Sequence, residues 1–190
     1  LKTVILTDSS KVALDAAIPG PSVTTLRSKL IAFAARTEVS GVIIDVAGDA
    51  RVTALKQQAA TNPACPFAKN LVAEEIKSIV DTYRSNPLRY VVIAGNDDAI
   101  PFFRSPDQSA IGPESGYVPP VQSNSPSEAS LRRNFVLSQD KYGSRTSLSL
   151  PWNEFPVPEL AVGRLIETAS EIAGLIDAYV AAGSVVSPHS

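Results

Sequence analysis

No methionine occurs in the chain, not even at its first position, which is Leu1. That points to a piece cut from a longer polypeptide. There is one cysteine, Cys65, so a disulfide framework is excluded. The single histidine, His189, is the penultimate residue. A Cys65/His189 nucleophile–base pair would rest on a chain end, where order is poorest. Cys65 reads more simply as a packed or half-exposed structural residue. Without an internal histidine, the strand-end hydroxyls Ser9, Ser10 and Ser138 cannot be built into a serine triad.

Other absences narrow the function further. No apolar run approaches the ~18 residues that cross a bilayer. The start, Leu1-Lys2 running straight into a strand-like segment, lacks the regions of a signal peptide. The formal charge is only −2, and no basic stripe interleaves with aromatics. Neither nucleic acid nor a membrane surface is expected as a partner. A phosphate cradle is missing too: no GxxxxGK[ST] occurs, and no GxGxxG follows a strand.

The segments that remain alternate apolar strands with amphipathic helices. Thr3 to Thr7 (TVILT) is short, β-branched and fully apolar, as in a strand covered on both faces, and Asp8-Ser9-Ser10 closes it. Ser22 to Arg36 carries Val23, Leu26, Leu30 and Phe33 at helical spacing, with Pro21 near its start. Gly41 to Ala47 is a second strand, and Asp49 is placed to cap a helix that ends at Asn62-Pro63. Phe67 to Arg84 places Val72, Ile76, Ile79, Val80 and Tyr83 on one stripe. Tyr90 to Ala94 is a third strand. This pattern predicts a three-layer α/β/α fold with a mostly parallel sheet and right-handed crossovers.

One α/β domain is expected over 1–190. Its parts are β/α units over 1–101, a Pro/Ser-rich loop over 102–133, a strand-loop-strand-helix unit over 134–183 and a tail over 184–190. Pro106, Gly112-Pro113, Pro119-Pro120 and Pro126 exclude long regular elements from the loop, and so long a loop is usually functional or mobile. Asn134 to Ser138 is expected as a fourth strand, and Leu148 to Pro158, with Trp152, as irregular. Leu160 to Leu165 reads as a strand. Behind it Thr168-Ala169-Ser170-Glu171 matches a capping box. Ile172, Leu175, Ile176, Tyr179 and Val180 then form a stripe that Gly183 ends.

Strand ends are where α/β sheets gather chemistry, and acids collect there. Asp97 and Asp98, in the Gly95-Asn96-Asp97-Asp98 turn, and Asp140 after a later strand are candidate oxygen ligands for calcium. The plainer reading is that they cap turns and solvate loop ends. Asp8, Asp45 and Asp97 could also form an acidic pocket of the receiver type, but no lysine on a later strand end completes it. Tyr117, Tyr142 and Trp152 could line a groove or pin loops to the core.

Three segments resemble the gingipain-type cysteine peptidases, which have a caspase-like fold. Tyr90-Val91-Val92-Ile93-Ala94-Gly95 followed by Ile100-Pro101 is similar to that family's strand closing on Ile-Pro. Ser138 to Gly143 (SQDKYG) is similar to its Ser-Asp…Tyr-Gly segment. Glu159 to Tyr179 resembles its strand-Gly-Arg-helix unit, with Gly163-Arg164 at the junction. The three occur in the family's order.

What the resemblance implies is an N-terminal part of such a peptidase. The family's catalytic cysteine and His-Gly histidine lie downstream of the strand-Gly-Arg-helix unit, so no residue here inherits a catalytic role. The partner is then the downstream catalytic half of the same polypeptide, with peptide or protein substrates belonging to the full-length protein. There the thiolate attacks the peptide carbonyl, histidine moves protons and backbone amides hold the oxyanion. No cofactor is required for that chemistry. Family members can bind calcium, which suits the acids above, and are often exported. The alternatives are a non-enzymatic binding or scaffold domain of the same fold, and a metal-dependent enzyme built on Asp97, Asp98 and Asp140.

Overall fold

The computed structural model describes residues 1–12, 22–85, 87–150, 153–166 and 168–183. Pro21, Trp152, His189 and the 184–190 tail lie outside the described residues. Strands β1 (Thr3–Thr7), β2 (Gly41–Asp45), β3 (Tyr90–Ala94) and a later one at Ala161–Leu165 form a four-stranded sheet. All pairings in it are parallel, with Leu6 opposite both Ile44 and Ile93, and Ile93 opposite Arg164. β1 lies between β2 and β3. The strand order therefore reverses direction beside β1, and the carboxyl ends of β1 and β3 flank the reversal.

Helices cover both faces, as the strand compositions require: Val4, Ile5 and Leu6 of β1 are fully buried. Helix α1 (Ser22–Ala34) packs on the C-terminal helix at Ala169–Ala181, where Phe33 meets Tyr179 edge-on at 5.4 Å. Helices α2 (Ala50–Thr61) and α3 (Pro66–Asp81) pack on each other. Asp49 caps α2 by accepting from the Arg51 and Val52 amides. Val72, Ile76 and Val80 of α3 are buried as the stripe demands, with Ile79 and Tyr83 partly so.

The region 102–133 has more order than its prolines suggest. It holds β4 (Phe103–Pro106), a 3₁₀ turn at Glu114–Gly116 and the seven-residue helix α4 (Pro126–Arg132). No long element occurs among its residues, as the prolines dictate. The strand expected at Asn134 to Ser138 exists as β5 (Phe135–Ser138), but it does not join the main sheet. It pairs antiparallel with β4 in a separate ribbon. The stretch expected to be irregular is instead a hairpin of β6 (Ser144–Leu150) and β7 (Asn153–Pro158). The fourth strand of the main sheet is β8 (Ala161–Leu165).

Behind β8, α5 (Ala169–Ala181) opens on a complete capping box. Thr168 Oγ1 accepts the Glu171 amide at 3.2 Å, and Glu171 Oε2 accepts the Thr168 amide at 3.0 Å. Ile172 and Ile176 of its stripe are buried, whereas Leu175 and Val180 are exposed. Gly183 follows with a positive φ of 65°. Because the box satisfies two otherwise orphaned amides, Thr168→Ala is expected to cost about 1 kcal/mol. Urea denaturation of the two proteins measures it; an unchanged midpoint would mean the cap contributes nothing.

Candidate functional site

The turn after β3 is the hub of the carboxyl end of the sheet. Gly95 starts it with φ 137°, a conformation that L side chains avoid, and an added Cβ would lie 2.7 Å from that of Ala99. Asn96 Oδ1 then accepts the Asp98 and Ala99 amides at 3.1 and 3.2 Å, holding the chain in an Asx-type turn. Three side chains from elsewhere fasten this turn.

Arg104 of β4 is the first. It is fully buried and forms a two-pronged pair with Asp97: Nη1 to Oδ1 at 2.8 Å and Nη2 to Oδ2 at 2.5 Å. Asp97 also accepts the Phe102 amide at 2.8 Å and the Ser127 hydroxyl of α4 at 2.7 Å. Asn70 of α3 completes the arrangement, accepting the Arg104 amide and donating to its carbonyl. Burial by itself would raise the Asp97 pKa. The Arg104 charge and these hydrogen bonds outweigh it and hold the carboxyl below its ordinary value. A carboxylate so engaged is a structural anion, with little capacity left for a metal or a substrate proton.

Arg164 of β8 is the second. It donates to the carbonyls of Gly95 (2.9 Å), Asn96 (3.2 Å) and Ile100 (2.9 Å), and to Gln139 Oε1 (3.0 Å). Its guanidinium stacks on the Phe102 ring at 4.0 Å. Burial pulls its pKa down to about 10, so it stays charged at neutral pH. Tyr142 is the third: fully buried, it donates its hydroxyl to the Pro101 carbonyl at 2.8 Å and packs on Phe103. Burial pushes its phenol up, far out of reach of acid–base work. Tyr142 is thus a pin, whereas Tyr117 is exposed.

The candidate calcium ligands are not brought together. Asp97 faces Arg104, its neighbour Asp98 is exposed and 3.4 Å from the Lys69 ammonium, and Asp140 is exposed beside a different hollow with Asp107 and Glu154. Among the described residues no three His, Cys, Asp or Glu side chains gather as a ligand set. The acids Asp8, Asp45 and Asp97 are likewise held apart by separate partners. Asp8 pairs with Lys56 of α2, and Asp45 accepts the Ser9 and Ala47 amides. Cys65 is half-buried at the start of α3. No histidine lies among the described residues to serve it as a base.

A second focus was not legible in the sequence. Lys56 reaches across from α2 to the buried Asp8 carboxylate and donates to the Ala99 carbonyl at 2.6 Å, tying the ends of β1 and β3 to one helix. Beside it a hollow of about 530 Å³ opens between β1, α2 and α3. Lys56, Lys69 and Arg104 had no motif to announce them, since a single cation on a helix or short strand ordinarily reads as solvated surface. No helix among the described residues is long and apolar enough to cross a membrane. No family model, curated protein or solved structure matches this chain.

Proposed function

We propose that this chain is the N-terminal α/β part of a gingipain-like cysteine peptidase, which supports a catalytic half supplied further along the same polypeptide. One observation carries the reading. The three segments that resemble the family, far apart in sequence, lie against one another in space. β3 pairs with β8, Arg164 of the Gly-Arg junction holds the carbonyls of the turn that ends at Ile100-Pro101, and Tyr142 of SQDKYG hydrogen-bonds Pro101. The residue types in these segments, far apart in the chain, form one interlocked unit.

In this reading the chain contributes architecture and no catalytic group. Among the described residues β8 pairs with β3 alone and is an edge strand of the sheet, where a further strand could be added. The cysteine and histidine of the reaction would arrive on such added strands. This chain by itself is expected to cleave no peptide substrate in a thiol-dependent way, and Cys65→Ala is expected to change nothing. Fluorogenic peptides presented to the isolated chain test this, and cleavage that vanished in Cys65→Ala would overturn it. The parent reading frame beyond Ser190 should encode one strand ending in His-Gly and another ending in Cys. A frame with neither would favour a scaffold domain of the same fold.

A further inference from the structure

The hollow beside Lys56 sits where an open parallel sheet favours a ligand: outside the strand carboxyl ends, at the point where strand order reverses. Among the described residues its ionisable lining is Lys11, Lys56 and Lys69 against Asp8 and Asp98. Three ammoniums thus face two carboxylates, a local excess of positive charge in a chain whose formal charge is −2. Among the described residues nothing further cancels the excess. Asp8 is only 1% exposed and is engaged by Lys56 and by the Ser10 amide and hydroxyl. Asp98 is only 3.4 Å from Lys69 but is itself largely in solvent.

The lysines also sense one another. Burial pulls the Lys56 pKa below its ordinary value even though Asp8 opposes this, and the charges of Lys69 and Lys11 push it the same way. Like charges that repel across a cavity are relieved by an anion placed between them. The rest of the lining sets the ligand's character. Thr53 and Gln57 offer hydroxyl and amide donors, while the accessible Ala60, Pro63 and Pro126 are apolar. The volume of about 530 Å³ is that of a small-molecule pocket.

We propose that this hollow binds a small organic phosphate monoester, its phosphate between Lys11 and Lys69 and its organic body against Ala60, Pro63 and Pro126. Lys56 shapes the site but remains committed to Asp8. The site is independent of the peptidase reading, since it uses none of the three resembling segments except Pro101 at its rim.

Calorimetric titration of the chain with phenyl phosphate at low ionic strength tests the idea. Saturable one-to-one binding tighter than about 1 mM is expected, with inorganic phosphate and benzoate each weaker by about tenfold. The double variant Lys11→Ala/Lys69→Ala should weaken phenyl phosphate by at least about tenfold. It spares Lys56, whose loss would strand the buried Asp8 carboxylate and could unfold the protein. Ala60→Phe, at an exposed position on the rim, fills the hollow without touching any charge and should abolish binding. Thermal melting confirms that each variant is folded. No saturation by about 10 mM would overturn the proposal. So would undiminished binding in either folded variant, inorganic phosphate binding as tightly as phenyl phosphate, or benzoate binding as tightly.

Discussion

Replacing Asp97 by alanine is expected to destabilise the protein by about 3–5 kcal/mol, the usual cost of removing one partner from a buried ion pair. The size follows from what is left behind. Arg104 is 0% exposed and cannot swing into water. Among the described residues its guanidinium would keep only the Phe102 carbonyl as an acceptor, and its Nε already has none. The Ser127 hydroxyl and the Phe102 amide would lose their acceptor at the same time. For a domain of this size the loss lowers the thermal midpoint by on the order of 10 °C. Asp98→Ala, one residue along, is the control: that side chain is 65% exposed and its pairing is long, so a change within about 0.5 kcal/mol is expected. If the two variants melted together, the Asp97–Arg104 pair would not be holding the turn.

The same pair sets an acid limit. The Asp97 pKa lies below the ordinary 3.8 in the folded protein. A group with a depressed folded-state pKa contributes fully above its unfolded value, and the contribution is lost as pH falls through the folded one. The stability gap between the wild type and Asp97→Ala should therefore be constant near neutrality and narrow as pH drops below about 4. A gap that widened in acid would contradict this assignment.

Gly143→Ala is expected to cost about 3 kcal/mol, for a steric reason unrelated to backbone freedom. A Cβ there would lie 2.5 Å from the Leu160 carbonyl oxygen and 2.7 Å from a methyl of Val162. The carbonyl cannot step aside cheaply. The Glu159 and Leu160 amides both donate to the Gly143 carbonyl, and β8 begins at the next residue. Relief would push β8 away from β3, loosening the Arg164 contacts with the turn. Gly116→Ala provides the comparison, because nothing lies within 4 Å of a Cβ at that glycine. Equal midpoints for the two variants in urea would show that β8 gives way freely.

How far the structure was legible depended on burial. β1 and β3 are recognisable because strands covered on both faces must be apolar, and TVILT or YVVIA can hardly be anything else; β2 and β8 are only partly buried, yet keep short apolar runs. Helices α2 and α5 announced themselves through Asp49 and the Thr168/Glu171 box. The hairpin of β6 and β7 stayed hidden because Leu148, Phe155 and Val157 are exposed, so these large apolar side chains imprint no buried-face period on the sequence. Helix α4 carries a start signal as well. Ser125-Pro126-Ser127-Glu128 has the cap, the N1 proline and the N3 glutamate, and Ser125 does accept the Glu128 amide at 3.1 Å. The surrounding prolines masked it. β5 was visible as a strand but not its partner, since pairing with β4 is decided by tertiary context.

The acids show the same limit. Asp97 stood out as a strand-end carboxylate, and its location is as expected. Its task depends on Arg104, seven residues on, and on Ser127 in another element. Nothing in local spacing distinguishes a carboxylate awaiting a cation from one already neutralised by an arginine.

The central place of β1 has a consequence during synthesis. It is made before β2 and β3, yet it needs β2 on one side and β3 on the other. At typical elongation rates roughly 5–15 seconds separate its appearance from that of β3. Throughout that interval TVILT is an uncharged, proline-free, β-branched segment with an open edge, the kind of window that self-associates. The strand that anchors the finished sheet is thus the one most in need of shelter while the ribosome is still at work.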